Sequence, residues 1–246
     1  MARSQRFGLL SIFFFIALLF SVPSASAEVF TEITKDISAD TIWTKIASPY
    51  VIKNNITILA GATLTIEPGV VVKFDNGPEW YDTYGFEVRG TLNALGTESE
   101  PIYFTSFYDD EGVADTDDEI ICDTDEEGNE LPETCESFDL GDPLTGDWRG
   151  FYFDNSDSVL KNIVIKYADY GIDLYNSSLD IQNITIEEAN EGITAYEDSS
   201  VDLNGGVFKG LQQDALSFFE YSDVFASGVQ ILDGGFVFNN LIAIFN

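Results

Sequence analysis

Apolar residues in the second half of the chain come in runs of three to five, separated by Gly, Asn, Ser or Asp. Apolar and polar residues alternate along these runs, which is typical of β-strands with one buried face. No stretch after residue 28 keeps a helical period long enough for a stable helix. The pattern therefore predicts an all-β protein of many short strands joined by tight corners.

The same pattern recurs at an interval of 21 residues. Gly150, Gly171 and Gly192 each open a short apolar run, and Asn162 and Asn183 occupy matching places between apolar positions. A fixed period of about 20 to 25 residues indicates a solenoid whose successive coils bury their apolar faces on one another. We expect these glycines and asparagines to form the corners of the coil, with the two asparagine side chains stacked as a ladder.

The later repeats lengthen slightly. Ile181 is matched by Leu203, 22 residues on, and Ile193 is matched by Leu216, 23 residues on. One or two residues are therefore inserted at corners, and Asn204 falls out of phase with the asparagine ladder. Aromatic residues that should point inward in these repeats are Phe208, Phe218, Phe225, Phe236 and Phe238.

The first half of the chain carries motifs that are more specific than a period. They are DTIWT (40–44), SPYVI (48–52), ITILAGATLTIEPGVVVKF (56–74), GTLNALGT (90–97), PIYFTS (101–106) and DWRGFYF (147–153). In these motifs the chain resembles bacterial secreted and surface proteins of the pectate-lyase-like β-helix superfamily, of the non-catalytic type. The resemblance implies a right-handed, single-stranded parallel β-helix with about 21–23 residues per rung, in an exported protein.

The N-terminus has the features of a secretory signal. Arg3 and Arg6 precede an apolar run over residues 9–20, and small residues lead up to Ala27. This arrangement predicts a signal peptide over 1–27 that is cleaved after Ala27. No later stretch is long and apolar enough to span a membrane. We expect a secreted or cell-surface protein, and a periplasmic one remains an alternative.

The mature chain divides into a predicted N-terminal cap and a coil. The cap covers residues 28–49, and the coil covers 50–246 with interruptions at 75–85 and 109–147. Another coil-like stretch ends the sequence, so either downstream domains or end-to-end stacking with a partner would cover the last rung.

Charge narrows the possible partners. The 246 residues include 11 basic and 43 acidic ones, for a net charge of −32. Such a surface repels nucleic acid and an anionic membrane. The charge is concentrated in the segment 109–147, which has 17 acidic residues and no Lys or Arg. This acidic segment interrupts the repeat and is predicted to be a loop inserted on one side of the coil.

Both cysteines lie in the acidic segment. An exported protein with only two cysteines generally pairs them, so Cys122 and Cys135 are predicted to form a disulfide. Free thiols are the alternative if the protein is exported into reducing surroundings.

The acidic segment also contains a candidate calcium site. Asp123, Asp125 and Glu127 alternate along the chain, and Gly128 follows them, so a tight turn could direct several carboxylate oxygens at one cation. Glu130 completes the candidate set of Ca²⁺ ligands. The stretch lacks the bidentate Glu and the flanking helices of an EF-hand, and the alternative is a solvated acidic loop.

The loop 75–85 combines aromatic side chains with carboxylates. Trp80, Tyr81 and Tyr84 could lie against the apolar faces of sugar rings while nearby acids bond their hydroxyls. The alternative is that these side chains fold back and cover a sheet.

Catalysis has little support in the sequence, and no catalytic residue is predicted. The chain has no histidine, which excludes Ser-His-Asp and Cys-His catalysis and the usual zinc sites. A calcium-dependent polysaccharide lyase would need a basic residue as its general base, and Arg149 and Lys166 are the candidates. We expect an exported, non-catalytic scaffold or adhesion module that contacts polysaccharide or a cell-surface glycan. A carbohydrate-binding module and a polysaccharide lyase are the alternatives.

Overall fold

Parallel β-strands make up nearly all of the regular structure. The computed structural model describes residues 30–77, 83–110, 119–121, 136–138, 141–232, 235–238 and 242–245. Within these ranges there are 21 strands and one turn of 3₁₀ helix, Lys45–Ala47. The predicted all-β class with almost no helix is confirmed.

The strands are short before the acidic segment and longer after it. They are β1 (Thr31–Ile33), β2 (Thr41–Trp43), β3 (Tyr50–Ile52), β4 (Ile56–Ile58), β5 (Thr63–Ile66), β6 (Val71–Phe74), β7 (Gly85–Val88), β8 (Thr91–Leu95), β9 (Ile102–Ser106), β10 (Glu119–Ile121), β11 (Glu136–Phe138), β12 (Gly150–Asp154), β13 (Asp157–Lys166), β14 (Tyr170–Tyr175), β15 (Ser178–Glu187), β16 (Glu191–Tyr196), β17 (Ser200–Lys209), β18 (Leu216–Phe218), β19 (Asp223–Ile231), β20 (Phe236–Phe238) and β21 (Ile242–Phe245).

Two parallel sheets contain all of these strands except β10 and β11. One sheet has seven strands in the order β20-β18-β16-β14-β12-β7-β4. The other has twelve, with β1-β3-β6-β9-β13-β15-β17-β19-β21 as its main path and β2, β5 and β8 joining beside it. From β12 onward, consecutive strands alternate between the two sheets, so each strand pairs with the strand one repeat away.

The strand register reproduces the sequence repeat. On the seven-stranded sheet Phe151 pairs with Ile172, which pairs with Ile193 and then Leu216. On the other sheet Ile181 pairs with Leu203, as the 22-residue step predicts. The parallel arrangement of repeats and the lengthened later repeats are thus confirmed, while the coiling of the chain into a right-handed β-helix stays a prediction.

The apolar faces of both sheets meet in one core. Phe151, Ile172, Ile193 and Leu216 are almost completely buried and belong to a cluster that draws on both sheets. Burial of such side chains contributes about 1.5–3 kcal/mol each relative to exposure. Aromatic pairs such as Phe86 and Phe151, whose ring centroids are 5.7 Å apart, add contacts between neighbouring strands.

The aromatic residues predicted to point inward do so in two of the described cases. Phe208 and Phe218 are buried, as predicted. The prediction for Phe225 is wrong, because this residue pairs with Asp202 at an outward position of its strand and is exposed. The side chains of Phe236 and Phe238 lie outside what the structure describes.

Asn162 and Asn183 form the predicted corner ladder. Both have positive φ angles, 46° and 56°, a conformation that asparagine tolerates better than most residues. The side-chain amide of Asn183 donates to Oδ1 of Asn162 at 3.1 Å, and that of Asn162 donates to the carbonyl of Gly96 at 2.9 Å. Gly205 takes the next corner with a φ of 80°, so Asn204 lies outside the ladder, as expected.

The glycines of the repeat have a different role from the corners predicted for them. Gly171 and Gly192 lie inside β14 and β16 without positive φ, and only Gly150 has it, at 105°. A Cβ atom on Gly171 would stand 2.6 Å from the carbonyl oxygen of Gly192, and one on Gly192 would overlap the carbonyl of Ala215. These positions require glycine because the next strand lies against them.

The predicted cap region contributes the first strands of the twelve-stranded sheet. In it, β1 pairs with β3 and β2 pairs with β5. Trp43 is buried and stacks on Tyr50 with ring centroids 4.6 Å apart. Within the described residues, no helix has the length and apolarity needed to cross a membrane.

Candidate functional site

Most of the sites predicted from the sequence lie outside the described residues. This applies to the calcium ligands Asp123, Asp125, Glu127 and Glu130, to Cys122 and Cys135, to Trp80 and Tyr81, and to the cleavage site at Ala27. These sites stay predictions. The described residues that flank the cysteines, Ile121 and Glu136, are partners in the antiparallel pair of β10 and β11.

Tyr84 is the described member of the predicted sugar-binding loop. Its half-buried side chain packs against the core, and its carbonyl accepts a hydrogen bond from the backbone of Arg149 at 2.8 Å. This packing matches the alternative in which the aromatic residues of the loop cover a sheet.

Ion pairs hold the start of the acidic segment against the twelve-stranded sheet. Asp109 is fully buried, lies 2.9 Å from Nζ of Lys166 and accepts a hydrogen bond from Thr105 at 2.6 Å. Burial acts to lower the pKa of Lys166, but the hydrogen bond and charge of Asp109 outweigh it and raise that pKa. Next along the chain, Asp110 lies 3.2 Å from the buried Nζ of Lys73. Lys166 is therefore committed to a structural ion pair and is not placed as the general base of a lyase.

Hydrogen bonds hold the C-terminal end of the acidic segment at the same place. Asp147 accepts from the Ser106 hydroxyl at 2.6 Å and from the backbone of Leu144 at 2.9 Å. Burial raises the pKa of Asp147 above its ordinary value. The indole of the buried Trp148 donates to the carbonyl of Lys166 at 2.7 Å. The two ends of the acidic segment thus meet at one polar cluster beside the core.

A groove on the seven-stranded sheet is the strongest candidate for a binding site. It has a volume of about 500 Å³ and crosses β4, β7, β12 and β14. Its floor follows one register column of outward residues, in which Thr57, Glu87, Tyr152 and Asp173 occupy successive strands. Neighbouring strands are about 4.8 Å apart, so the column presents one outward side chain at about that interval.

Positive charge lies at the β7 end of this groove. The guanidinium of Arg89 contacts Glu87 at 2.6 Å and Asp154 at 3.7 Å, so it offsets two carboxylates. Thr57 also donates to Glu87 at 3.4 Å. Arg149 lines the groove just before β12 and forms no ion pair within the described part of the chain.

Negative charge lies at the β14 end. Burial, followed by the charges of Glu191 and Asp169, raises the pKa of Asp173 to about 7. The pKa of Glu191 is also raised, first by burial and then by Asp169 and Asp214. Among the described residues, none donates a hydrogen bond to the Asp173 carboxylate.

Tyrosine side chains stand around these carboxylates. Tyr152 and Tyr170 line the groove and are 40% and 38% exposed, and Tyr196 on the adjacent strand is 38% exposed. Tyr196 stacks on Phe219 with ring centroids 5.3 Å apart, which fixes the orientation of its ring. The site therefore offers partly exposed aromatic faces beside carboxylates, the combination that the sequence suggested for a different loop.

Sequence reasoning missed this groove, although a signal for it exists. Tyr152, Asp173 and Thr194 occupy the same polar position of three successive repeats, each between two buried apolar residues. Comparing the outward positions of the repeats, and not only the apolar ones, would have identified the column.

Comparisons with known proteins give a short partial match. A stretch of 88 residues is 38% identical to part of the protein named "Protein bark beetle" from Drosophila melanogaster. The stretch covers 35% of this chain and 3% of that protein, so the chain corresponds to a small part of this relative. No family model and no solved structure matches the chain.

Proposed function

We propose that the chain is an exported, non-catalytic scaffold built as a right-handed parallel β-helix, and that its groove binds carbohydrate. The ligand class is a polysaccharide or cell-surface glycan. The groove floor formed by Glu87, Tyr152 and Asp173, with Tyr170 at its wall, is the observation that carries the proposal.

The strand order supports the coil. Parallel strands that alternate between two sheets need a crossover after every strand, and such crossovers are right-handed in about 98% of known cases. The repeat-to-repeat register and the asparagine ladder are what stacked rungs require. The apolar run at residues 9–20 and the predicted cleavage after Ala27 support export.

The composition of the groove supports carbohydrate. Pyranose rings present an apolar face and a rim of hydroxyl groups, so they fit sites in which aromatic rings alternate with hydrogen-bonding side chains. Tyr152 and Tyr170 supply the rings, Glu87 and Asp173 supply acceptors, and Arg149 supplies donors. The groove runs across strands, so an extended glycan chain could place successive sugars on successive rungs.

The charge of the chain restricts which glycans fit. A net charge of −32 repels polyuronates and sulfated glycans, as it repels nucleic acid. Neutral or positively charged glycans meet no such barrier. We therefore expect binding on the groove face to decline with the negative charge of the glycan.

Glycan-array binding tests the proposal. Tyr152→Ala removes an aromatic face from the groove, and Tyr221→Asn serves as the control because Tyr221 is exposed outside the groove. The control replaces a residue with a φ of 67° by one that tolerates that conformation. We expect the parent and the control to bind the same glycans and Tyr152→Ala to lose at least 10-fold in apparent affinity. Equal binding by all three, or no binding by the parent, would contradict the proposal.

A further inference from the structure

The two ends of the groove differ in their balance of charge. At the β7 end, each carboxylate has a guanidinium within reach, since Arg89 contacts both Glu87 and Asp154. At the β14 end, Asp173 and Glu191 have no ion pair among the described residues. Among the residues that the structure describes, no cation therefore pairs with the carboxylates at the β14 end of the groove.

Charged and titratable side chains on the neighbouring strands surround Asp173. Glu191 on β16 and Asp169 before β14 repel its charge. Tyr152 on β12 separates it from Glu87 in the register column, and Arg149 stands at the start of β12 on the side toward β7. The charged and titratable groups around the β14 end are Glu87, Arg89, Arg149, Tyr152, Asp169, Tyr170, Glu191 and Tyr196.

Ionisation of Asp173 is unfavourable in this arrangement unless a ligand brings positive charge. The Asp173 side chain is half-buried in the groove wall, receives no hydrogen bond from the described residues and is repelled by two other carboxylates. Burial without a donor disfavours the ionised form of a carboxyl group. A ligand that donates hydrogen bonds from a cationic group would restore the missing partner.

We propose that the groove binds polysaccharides of amino sugars, with a protonated sugar amine against Asp173 and the sugar rings on Tyr152 and Tyr170. The inference rests on the carbohydrate binding proposed above and specifies the class of sugar. An ammonium group carries three donors and a positive charge, so it satisfies carboxylates that a neutral hydroxyl satisfies less well. Tyrosine faces nearby add an attraction for the same cation.

The acetylated form of the same sugar provides a matched comparison. A glucosamine hexamer and an N-acetylglucosamine hexamer have the same ring and linkage, but only the first carries ammonium groups. We would measure both by isothermal titration calorimetry on the full chain at about pH 6, one unit below the pKa of about 7 for Asp173. We expect the glucosamine hexamer to bind at least 10-fold more tightly.

Proton release gives a second readout that general attraction between opposite charges does not mimic. At this pH most Asp173 side chains are protonated, so an ammonium bound against the carboxylate should displace a proton. Repeating the titration in buffers of different ionisation enthalpy measures that proton. We expect release with the glucosamine hexamer and none with the acetylated one.

Two variants separate the groove from the overall charge of the protein. Asp173→Asn keeps the shape of the side chain and removes its charge, whereas Asp180→Asn removes an exposed charge on β15, in the other sheet. We expect Asp173→Asn to lose both the preference for glucosamine and the proton release while still binding the acetylated hexamer. Asp180→Asn should behave like the parent.

Failure of the amino-sugar preference can be told apart from failure of the proposed carbohydrate binding. Equal affinity for the two hexamers overturns the inference and leaves carbohydrate binding standing. Absence of binding to either hexamer or to any glycan overturns both. If Asp173→Asn and Asp180→Asn keep the same preference for glucosamine, the preference comes from net charge, and the inference is wrong.

Discussion

Asp173 makes the stability of the protein depend on pH in a direction that can be calculated. Its pKa is raised from 3.8 to about 7 in the folded protein, first by burial and then by Glu191 and Asp169. Between these two values the folded state holds a proton that the unfolded state has released. The free energy of unfolding therefore falls as pH rises from about 4 to about 7 and stays lower above that range.

The magnitude follows from the size of the shift. Each pKa unit corresponds to about 1.4 kcal/mol, so a shift of about three units corresponds to about 4 kcal/mol. Asp173→Asn removes the ionisable group and keeps the shape. We expect the variant and the parent to have similar stability near pH 4, and the variant to be more stable by up to about 4 kcal/mol at pH 8.

Urea unfolding at a series of pH values measures this difference. Acidic residues remote from Asp173 change the stability of the parent and the variant alike, so the difference between the two proteins reports Asp173 together with its coupling to Glu191 and Asp169. Asp180→Asn, at an exposed position, should show a difference that is nearly constant with pH. If the difference between parent and Asp173→Asn is also constant from pH 4 to pH 8, the side chain is not buried among carboxylates as described.

Four further predictions follow from the structure and the sequence. Lys166→Met should destabilise the protein by about 3–5 kcal/mol in urea, because it removes the cation that pairs with the buried Asp109 carboxylate, and adding Asp109→Asn should recover most of the loss; a loss below about 1 kcal/mol would mean that the pair is solvated. Asn183→Ala should cost about 1–2 kcal/mol by the same assay, since alanine is strained at a φ of 56°, and Asn183→Gly should cost less; the reverse order would argue against the corner. Mass spectrometry after alkylation without reductant should find no modification of Cys122 and Cys135 if they form the predicted disulfide, and two added groups would show free thiols. Calcium should raise Tm and slow proteolysis within the acidic segment, and no change in either would remove the predicted metal site.

The repeat could be predicted from the sequence because inward positions are under a simple constraint. The position that Ile172, Ile193 and Leu216 share must be apolar in every repeat, so the spacing of these residues reveals the register even where a repeat gains one or two residues. Phe225 shows the limit of this reasoning, since an aromatic side chain at an outward position looks like a core residue until its strand partner, Asp202, is known.

The groove could not be found in the same way. Glu87 and Tyr152 are adjacent in the register column, yet the acidic segment separates them along the chain. Outward positions also carry no shared hydrophobic signal, because each is free to differ from its neighbours. The pKa of Asp173 depends on burial and on Glu191 and Asp169, and these distances exist only in the folded protein.

The way in which the acidic segment is attached allows its length and sequence to change during evolution. The strands before it, β7, β8 and β9, pair directly with the strands after it, β12 and β13. Both ends of the segment are held at one polar cluster around the buried Asp109 and the half-buried Asp147. A segment so attached can be lengthened, shortened or replaced without altering the register of these strand pairs. The fold thus separates the part of the sequence that must be inherited intact from a part that is free to diversify, and new binding properties can arise there without a new fold.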